Sequence, residues 1–329
     1  MVSRPTSRVR LGSGREFDLI RAFLGEDAGL PAGVLLGPGD DAAVLEGGWV
    51  VSTDLSVEDV HFRRSWLTDE EIGYRAAAAA LSDLAAMAAT PVAVLVSMAA
   101  ARSGRINVAE VQVGVRDAAD SVGASVIGGD LSRSPGPLFI DMVVLGRTDH
   151  PLSRAGARPG DELWVSGTLG TGAAALHAWA AGEVPPESIR ARFARPRPRV
   201  ALAADLAARG AAAAMLDLSD GLAGDAGHLA AASGVGIVIE EALVPVDLGA
   251  RAVLGDDAAL DAALHGGEDF ELCFAARPGA VDAEAVLERH AVPLTRVGRV
   301  VEGEGVHLEN VAGDRRPVDR GGHDHWSET

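Results

Sequence analysis

The sequence predicts an α/β (α+β) chain in two domains. Three observations carry this. Short apolar runs rich in Val and Leu alternate with alanine-rich helical segments along most of the chain. A Pro-, Gly- and Arg-rich stretch over 150–160 interrupts the alternation. And 329 residues exceed what one ordinary core accommodates. The division falls at 1–149 and 150–329.

In the first series, 17–23 reads as a short helix and 25–33 as a loop. Residues 49–52 form an apolar strand ending at Thr53-Asp54. Thr68 is an N-cap, with Glu71 its capping-box partner three residues on. That helix runs to about Ala89 and stops before Pro91. A strand over 92–99, a helix over 106–122 and a strand over 124–127 follow, the last ending in Gly128-Gly129-Asp130. Residues 138–145 are a further strand. In the second series, strands are expected at 162–166, 215–218, 235–240, 270–275 and 297–301. Helices are expected at 171–181, 199–209, 222–232 and 281–290. The tail over 314–329 is polar and without periodicity.

Composition excludes several classes. The net charge of -18 repels nucleic-acid phosphates and anionic lipid, so neither nucleic acid nor membrane is an expected partner. No run reaches the ~18 apolar residues that span a bilayer. Residues 1–10 lack a signal peptide's apolar segment, so the cytoplasm is the expected location. The chain has no lysine, which removes a P-loop lysine, a Schiff-base lysine and the lysine of a protein-kinase fold. Its one cysteine, Cys273, excludes intrachain disulfides and cysteine-rich zinc sites and reads as a buried strand residue.

The chemistry lies in a recurring pattern of an apolar run, small residues and aspartate. It stands as Gly37-Pro38-Gly39-Asp40-Asp41, Val51-Ser52-Thr53-Asp54, Ile127-Gly128-Gly129-Asp130 and Leu216-Asp217-Leu218-Ser219-Asp220-Gly221. Each places carboxylates where a strand is expected to end, which is where open α/β sheets bind ligands. Singly, each also fits an Asx turn or a helix N-cap. Together they suit Mg2+, which takes hard oxygen ligands along with substrate phosphates. Asp83 lies on the apolar stripe Ile72, Ala76, Ala79, Asp83, Ala86, Met87. A carboxylate there needs a metal ion or an arginine partner.

Other segments carry weaker signals. Gly266-Gly267-Glu268-Asp269 offers one or two acceptors in a flexible turn before a strand. Arg154 suits bidentate phosphate binding, or is a surface arginine. His61 lies on a polar stretch. Gly167-Thr168-Leu169-Gly170-Thr171-Gly172 is neither a dinucleotide fingerprint nor a Walker motif, yet it opens a helix whose amides can meet an anion. His323-Asp324-His325 sits in the polar tail and is discounted as a metal site.

In order, Gly39-Asp40-Asp41, Ser52-Thr53-Asp54, the segment Leu81-Ser82-Asp83-Leu84-Ala85-Ala86-Met87, Ile127 with Gly128-Gly129-Asp130, Asp217-Leu218-Ser219-Asp220-Gly221-Leu222 and Gly266-Gly267-Glu268-Asp269 resemble the thiamine-monophosphate kinases. The likeness spans about 17–326, with Ala80 standing where relatives often carry Asn. It implies the two-domain architecture of aminoimidazole ribonucleotide synthetase, with N-terminal domains dimerising through a barrel-like sheet and ATP near the interface. It implies phosphorylation of thiamine monophosphate by ATP with several Mg2+ ions. Carried over, Asp41, Ser52, Thr53, Asp54, Asp83, Asp130, Asp217 and Asp220 are the expected metal ligands. Gly129, Asp130, Arg154 and Ser219 are expected to contact ATP, and His61, Glu268 and Trp326 thiamine monophosphate.

Four other readings stay open or fall. Selenophosphate synthetase needs an N-terminal Cys or selenocysteine and a lysine, and the carbamoyl-dehydrating relative needs a terminal cysteine; this chain has none of these. Aminoimidazole ribonucleotide synthetase itself opens with a glycine- and lysine-bearing segment missing here. A non-catalytic nucleotide-binding module on the same scaffold remains the alternative from another class.

Overall fold

The computed structural model describes residues 15–24, 29–101 and 106–318. In chain order the first half contains α1 (Arg15–Leu24), β1 (Val34–Leu36), β2 (Ala43–Leu45), β3 (Trp49–Val57), α2 (Asp69–Ala86), β4 (Thr90–Ala101), α3 (Val108–Ser121), β5 (Ser125–Ser134) and β6 (Phe139–Arg147). The strands form an open six-stranded sheet in the order β1-β2-β3-β6-β4-β5, antiparallel except for the parallel pair β4–β5.

The second half contains β7 (Glu162–Ser166), α4 (Thr171–Ala180), α5 (Glu187–Ala194), α6 (Val200–Ala208), β8 (Ala214–Asp217), α7 (Leu222–Ser233) and β9 (Gly236–Glu240). Then come α8 (Leu248–Leu254), α9 (Asp256–His265), β10 (Leu272–Ala276), α10 (Ala283–His290), β11 (Leu294–Val301), β12 (Gly305–Glu309) and β13 (Arg315–Pro317). A seven-stranded mixed sheet runs β13-β12-β9-β11-β7-β10-β8. Helices α5, α8 and α9 and strands β1, β2, β12 and β13 have no counterpart in the sequence reading.

Two expected strand ends are strand interiors. β3 continues through Thr53-Asp54 to Val57, and β5 continues through Gly128-Gly129-Asp130 to Ser134. The small residues that look like punctuation are close-packing positions instead. A Cβ at Gly129 (φ +154°) would sit 1.8 Å from the Val96 carbonyl oxygen on the paired strand.

Helix α2 organises the molecule. Thr68 caps it: its hydroxyl accepts from the Glu71 amide (3.2 Å) and its own amide donates to the Glu71 carboxylate (2.9 Å). Asp69, Glu70 and Glu71 in the first turn complement the helix dipole. Ala88, at φ +51°, turns the chain out of the helix. Thirteen of its 18 residues are buried, so it has no solvent face and acts as a central core element. Leu81 and Leu84 join the core beneath the first sheet. Ala85 packs with Leu202, Leu206, Met215 and Phe274 of the second half.

An alanine-rich helix suits this position because neighbours approach closely on every side. The crossing with α3 is the tightest. A Cβ at Gly73 would lie 1.9 Å from the Val111 carbonyl oxygen, and one at Gly114 would lie 1.8 Å from that of Glu70. Gly114→Val should therefore cost roughly 3 kcal/mol or more, because backbone rather than a side chain must move. Gly136→Ala, with nothing within 4 Å of the added methyl, should stay within about 0.5 kcal/mol. Urea-unfolding midpoints of the two variants check this contrast.

Candidate functional site

A cleft of about 720 Å³ opens between the two halves, walled by β3, the turn after it, one face of α2, the loop after β8 and the segment after α9. Ile72, Ala76, Ala79 and Asp83 all line it. The stripe that reads as a core face in sequence is thus one wall of a cavity, and Asp83 faces a site rather than a hydrophobic interior.

Three carboxylates from distant segments converge there. Asp41 precedes β2, Asp83 lies on α2 and Asp217 ends β8. They offer one oxygen each, all within 4.8 Å of one another. The Ser52 hydroxyl donates to Asp83 Oδ2 (2.6 Å) and lies 3.1 Å from the Asp41 carbonyl oxygen. Arg154 engages Asp41 Oδ1 through Nη2 (2.5 Å) and Nε (3.2 Å), and its amide donates to the Asp40 carboxylate at 3.1 Å. In this arrangement Arg154 is not a surface residue: its guanidinium neutralises part of the acidic cluster.

The electrostatics follow from burial. Asp217 is pushed up to about 7 by desolvation and by the charge of Asp41, against opposing help from Ser82 and Arg154. Asp40 is likewise raised to about 7 by desolvation and Asp41. Asp83 is raised well above the usual range by burial, then by Asp217, Asp41 and Asp54. Asp54 is raised mainly by burial.

The cluster fits a hard cation. It presents only oxygen donors, and Asp41 Oδ2 is buried without a hydrogen-bond partner. An unpaired buried carboxylate oxygen is costly unless something fills that role.

The remaining expected residues divide. Thr53, Asp54, His61, Ser219, Asp220 and Glu268 line the same cleft as Asp83 and Asp217. Thr53 donates its hydroxyl to Asp141 (2.9 Å). His61 is built into the turn after β3, its Nδ1 accepting from the Val57 amide (3.0 Å). The Asp220 amide donates to Asp225 (3.1 Å), a buried carboxyl on α7 raised well above its usual range by desolvation and then by Asp220 and Asp217.

Gly129 and Asp130 are not brought to this cleft. They line a separate cavity of about 460 Å³ with Gln112 and Arg116 of α3. The register places Asp130 in the row Leu55–Asp141–Ser97–Asp130, three strand spacings from β3. That is about 14 Å, too far for one ion to join Asp130 to Asp54 within a chain. Trp326 and the 323–325 segment lie outside the described residues.

The segment after α9 is more rigid than a flexible acidic turn. Asp269 accepts from the amides of Gly170 (2.7 Å), Thr171 (3.0 Å) and Gly172 (3.4 Å) and from the Thr171 hydroxyl (2.8 Å). The anion at the N-terminus of α4 is therefore the chain's own carboxylate. Glu271 is buried against Ser166 (2.5 Å) and Arg199 Nε (2.7 Å). Only Glu268 of the three acids faces the cleft.

Sequence reasoning missed Arg75, which lines the cleft and pairs with Glu268. The available signal was position: Arg75, Ala79 and Asp83 follow one another at four-residue spacing on α2. It also missed Asp225 and gave Asp40 no role of its own, because the importance of both lies in their neighbours and not in their spacing.

The arrangement predicts a pH dependence. The folded pKa values of Asp217 and Asp40 lie above their ordinary value of 3.8, so the metal-free fold binds more protons than the unfolded chain between there and about 7. Their contribution to stability is present at low pH and lost as pH rises through that window. Mg2+ should then raise Tm by roughly 5 °C or more at pH 8 and by much less at pH 5. Differential scanning calorimetry with EDTA or Mg2+ reads this, and equal stabilisation at both pH values contradicts it.

Residues 39–148 match the AIR synthase related protein, N-terminal domain, and residues 158–309 match its C-terminal domain. A thiamine-monophosphate kinase of Rhodopirellula baltica is 37% identical over 291 residues, 83% of this chain and 85% of that protein. The crystal structure of a thiamine-monophosphate kinase from Stenotrophomonas maltophilia is similar at 38% identity and TM-score 0.75, covering 91% of this chain and 97% of that one. A structure of AaThiL complexed with AMPPCP and TMP is similar at 31% identity and TM-score 0.80, covering 94% and 96%.

Proposed function

Since this chain belongs to the thiamine-monophosphate kinase family, we propose that it transfers the γ-phosphoryl group of ATP to thiamine monophosphate, giving thiamine diphosphate. The observation that carries this reading is the convergence of Asp41, Asp83 and Asp217, the last two of which line one cleft with His61 and Glu268. Such a cleft joins a cation-binding wall to a substrate wall.

Asp41, Asp83 and Asp217, with Ser52, Thr53, Asp54 and Asp220 around them, would hold Mg2+. Bound Mg2+ supplies screening between two anionic reactants and stabilisation of the charge on the transferring group. The chain's own residues position and orient. Arg154 fixes the Asp41 and Asp40 carboxylates and, with Ser219, would meet ATP. His61, Glu268 and Trp326 would hold thiamine monophosphate, an aromatic face suiting its cationic ring.

Transfer is direct in this reading. The chain has no lysine, and burial in β10 pushes the Cys273 thiol far above its usual range, so it offers no thiolate. The acceptor phosphate is largely ionised near neutral pH, and the rate enhancement comes mainly from positioning. A cytoplasmic location is part of the same reading; no helix among the described residues is long and apolar enough to cross a membrane.

A homodimer gives Asp130 a role. The edge strand β5 carries exposed Ile127 and Leu131, and β3 carries exposed Leu55. A bare apolar edge of this kind calls for cover. A second copy placed there would bring Gly129 and Asp130 toward its partner's cleft.

The direct assay incubates the protein with Mg-ATP and a panel of phosphorylated acceptors. Thiamine diphosphate should form from thiamine monophosphate alone, and no product from any acceptor overturns the reading. Asp83→Asn and Asp217→Asn should each lower turnover by about 100-fold or more. Asp130→Asn and Asp217→Asn chains, each inactive alone, should recover roughly a quarter of wild-type activity when co-expressed, because one site per mixed dimer is intact. No recovery would place Asp130 in its own chain's site or outside catalysis.

A further inference from the structure

We infer that Arg75 is a positioning residue that aims the Glu268 carboxylate at the acceptor substrate; this rests on the reading of the cleft as a thiamine monophosphate site. Its guanidinium is clamped in place. It lies 3.6 Å from the centroid of the Phe193 ring and 5.6 Å from that of Phe270. Nη1 donates to the Phe193 carbonyl. Nη2 lies in ion-pair contact with Glu268 Oε2 and makes no hydrogen bond of its own. One group thus ties α2 and α5 to the segment after α9, and among the described residues Glu268 is its ion-pair partner on the cleft wall.

Glu268 needs such a partner. Its backbone is held in the left-handed region at φ +66°, with Phe270 two residues on at φ +50°. Non-glycine residues stay in that region only where surrounding contacts over-determine them. Main-chain bonds fix the turn itself: the Glu268 amide donates to Ser219 (2.8 Å) and the Phe270 amide to Leu218 (2.9 Å). They hold the main chain alone and do not fix the Glu268 side chain, which is 31% exposed. A free glutamate loses substantial rotamer entropy when it captures a ligand. Arg75 removes that freedom in advance, leaving the second carboxylate oxygen to accept from the substrate. The same guanidinium feels the charge of Asp54, so it stands between the cation wall and the substrate wall.

Arginine is specific here. A lysine would keep the charge but lose the planar fork and the contact with both rings.

The test is a double-mutant cycle on the full chain, using wild type, Arg75→Met, Glu268→Gln and the double variant, with KM measured for thiamine monophosphate and for ATP. Arg75→Met should raise KM for thiamine monophosphate about 10-fold or more, the size of a lost charge-assisted hydrogen bond. KM for ATP should move less than threefold, and Arg75→Lys should recover part of the loss. In the Glu268→Gln background Arg75→Met should add less than twofold, since its effect passes through Glu268. An undiminished Arg75→Met cost in that background overturns the inference, whether Arg75 then touches phosphate directly or only supports packing. If Arg75→Met does not fold, Arg75→Lys forms the same cycle and is judged by the same coupling. A folded wild-type protein inactive on thiamine monophosphate overturns the functional reading and this inference with it. Activity without coupling overturns this inference alone.

Discussion

Mutual repulsion among buried carboxylates is the constraint the rest of the structure answers to. Asp41, Asp83 and Asp217 come from segments more than 40 residues apart and are held within contact range. Two like charges 4 Å apart repel by about 4 kcal/mol at the effective dielectric of such sites. Nothing about the three segments would bring them together unaided. Arg154 offsets part of the repulsion on the Asp41 side, and Ser52 supplies a hydrogen bond to Asp83. The remainder stands as raised pKa values and an unmatched oxygen, which is how a cation site looks from the protein's side.

The scaffold that can hold such a cluster must be stiff, and α2 shows how that is done. With no solvent face, the helix packs the first sheet, α3 and the second half of the chain at once. Its alanines and Gly73 let those neighbours approach to backbone distance. Beyond the acidic first turn, Arg75 and Asp83 are the charged groups of this alanine-rich helix, both turned to the cleft. Rigidity of the support and placement of the charge are the same packing fact. The second half contributes a similar device in Asp269, whose four donors at the start of α4 lock the segment that presents Glu268.

Much of this was legible in the sequence where chemistry is local. The capping box at Thr68 and Glu71 appears as written, and β7 runs over 162–166 as expected. The aspartate motifs identify most of the cleft's acids because the same pattern recurs in four segments, which a single Asx turn or N-cap does not explain. What failed was anything decided by a distant partner. Thr53-Asp54 and Gly128-Gly129-Asp130 read as strand ends, yet pairing with β6 and β4 carries both strands onward. The anion for the glycine-rich 167–172 turn lies 97–99 residues away, so no local pattern reveals it. Short α5, α8 and α9 carry too few turns for a clear period. Arg75 hid inside an alanine run whose stripe looked like core.

The central claim is that Asp41, Asp83 and Asp217 form one cation site between two anionic reactants. Its most direct test is an anomalous difference map from crystals grown with Mn2+ and a non-hydrolysable ATP analogue. The account predicts a peak at about 2.0–2.3 Å from an oxygen of each of these three carboxylates. A map with no peak there, and the three carboxyls hydrogen-bonded to one another as protonated acids, would contradict it.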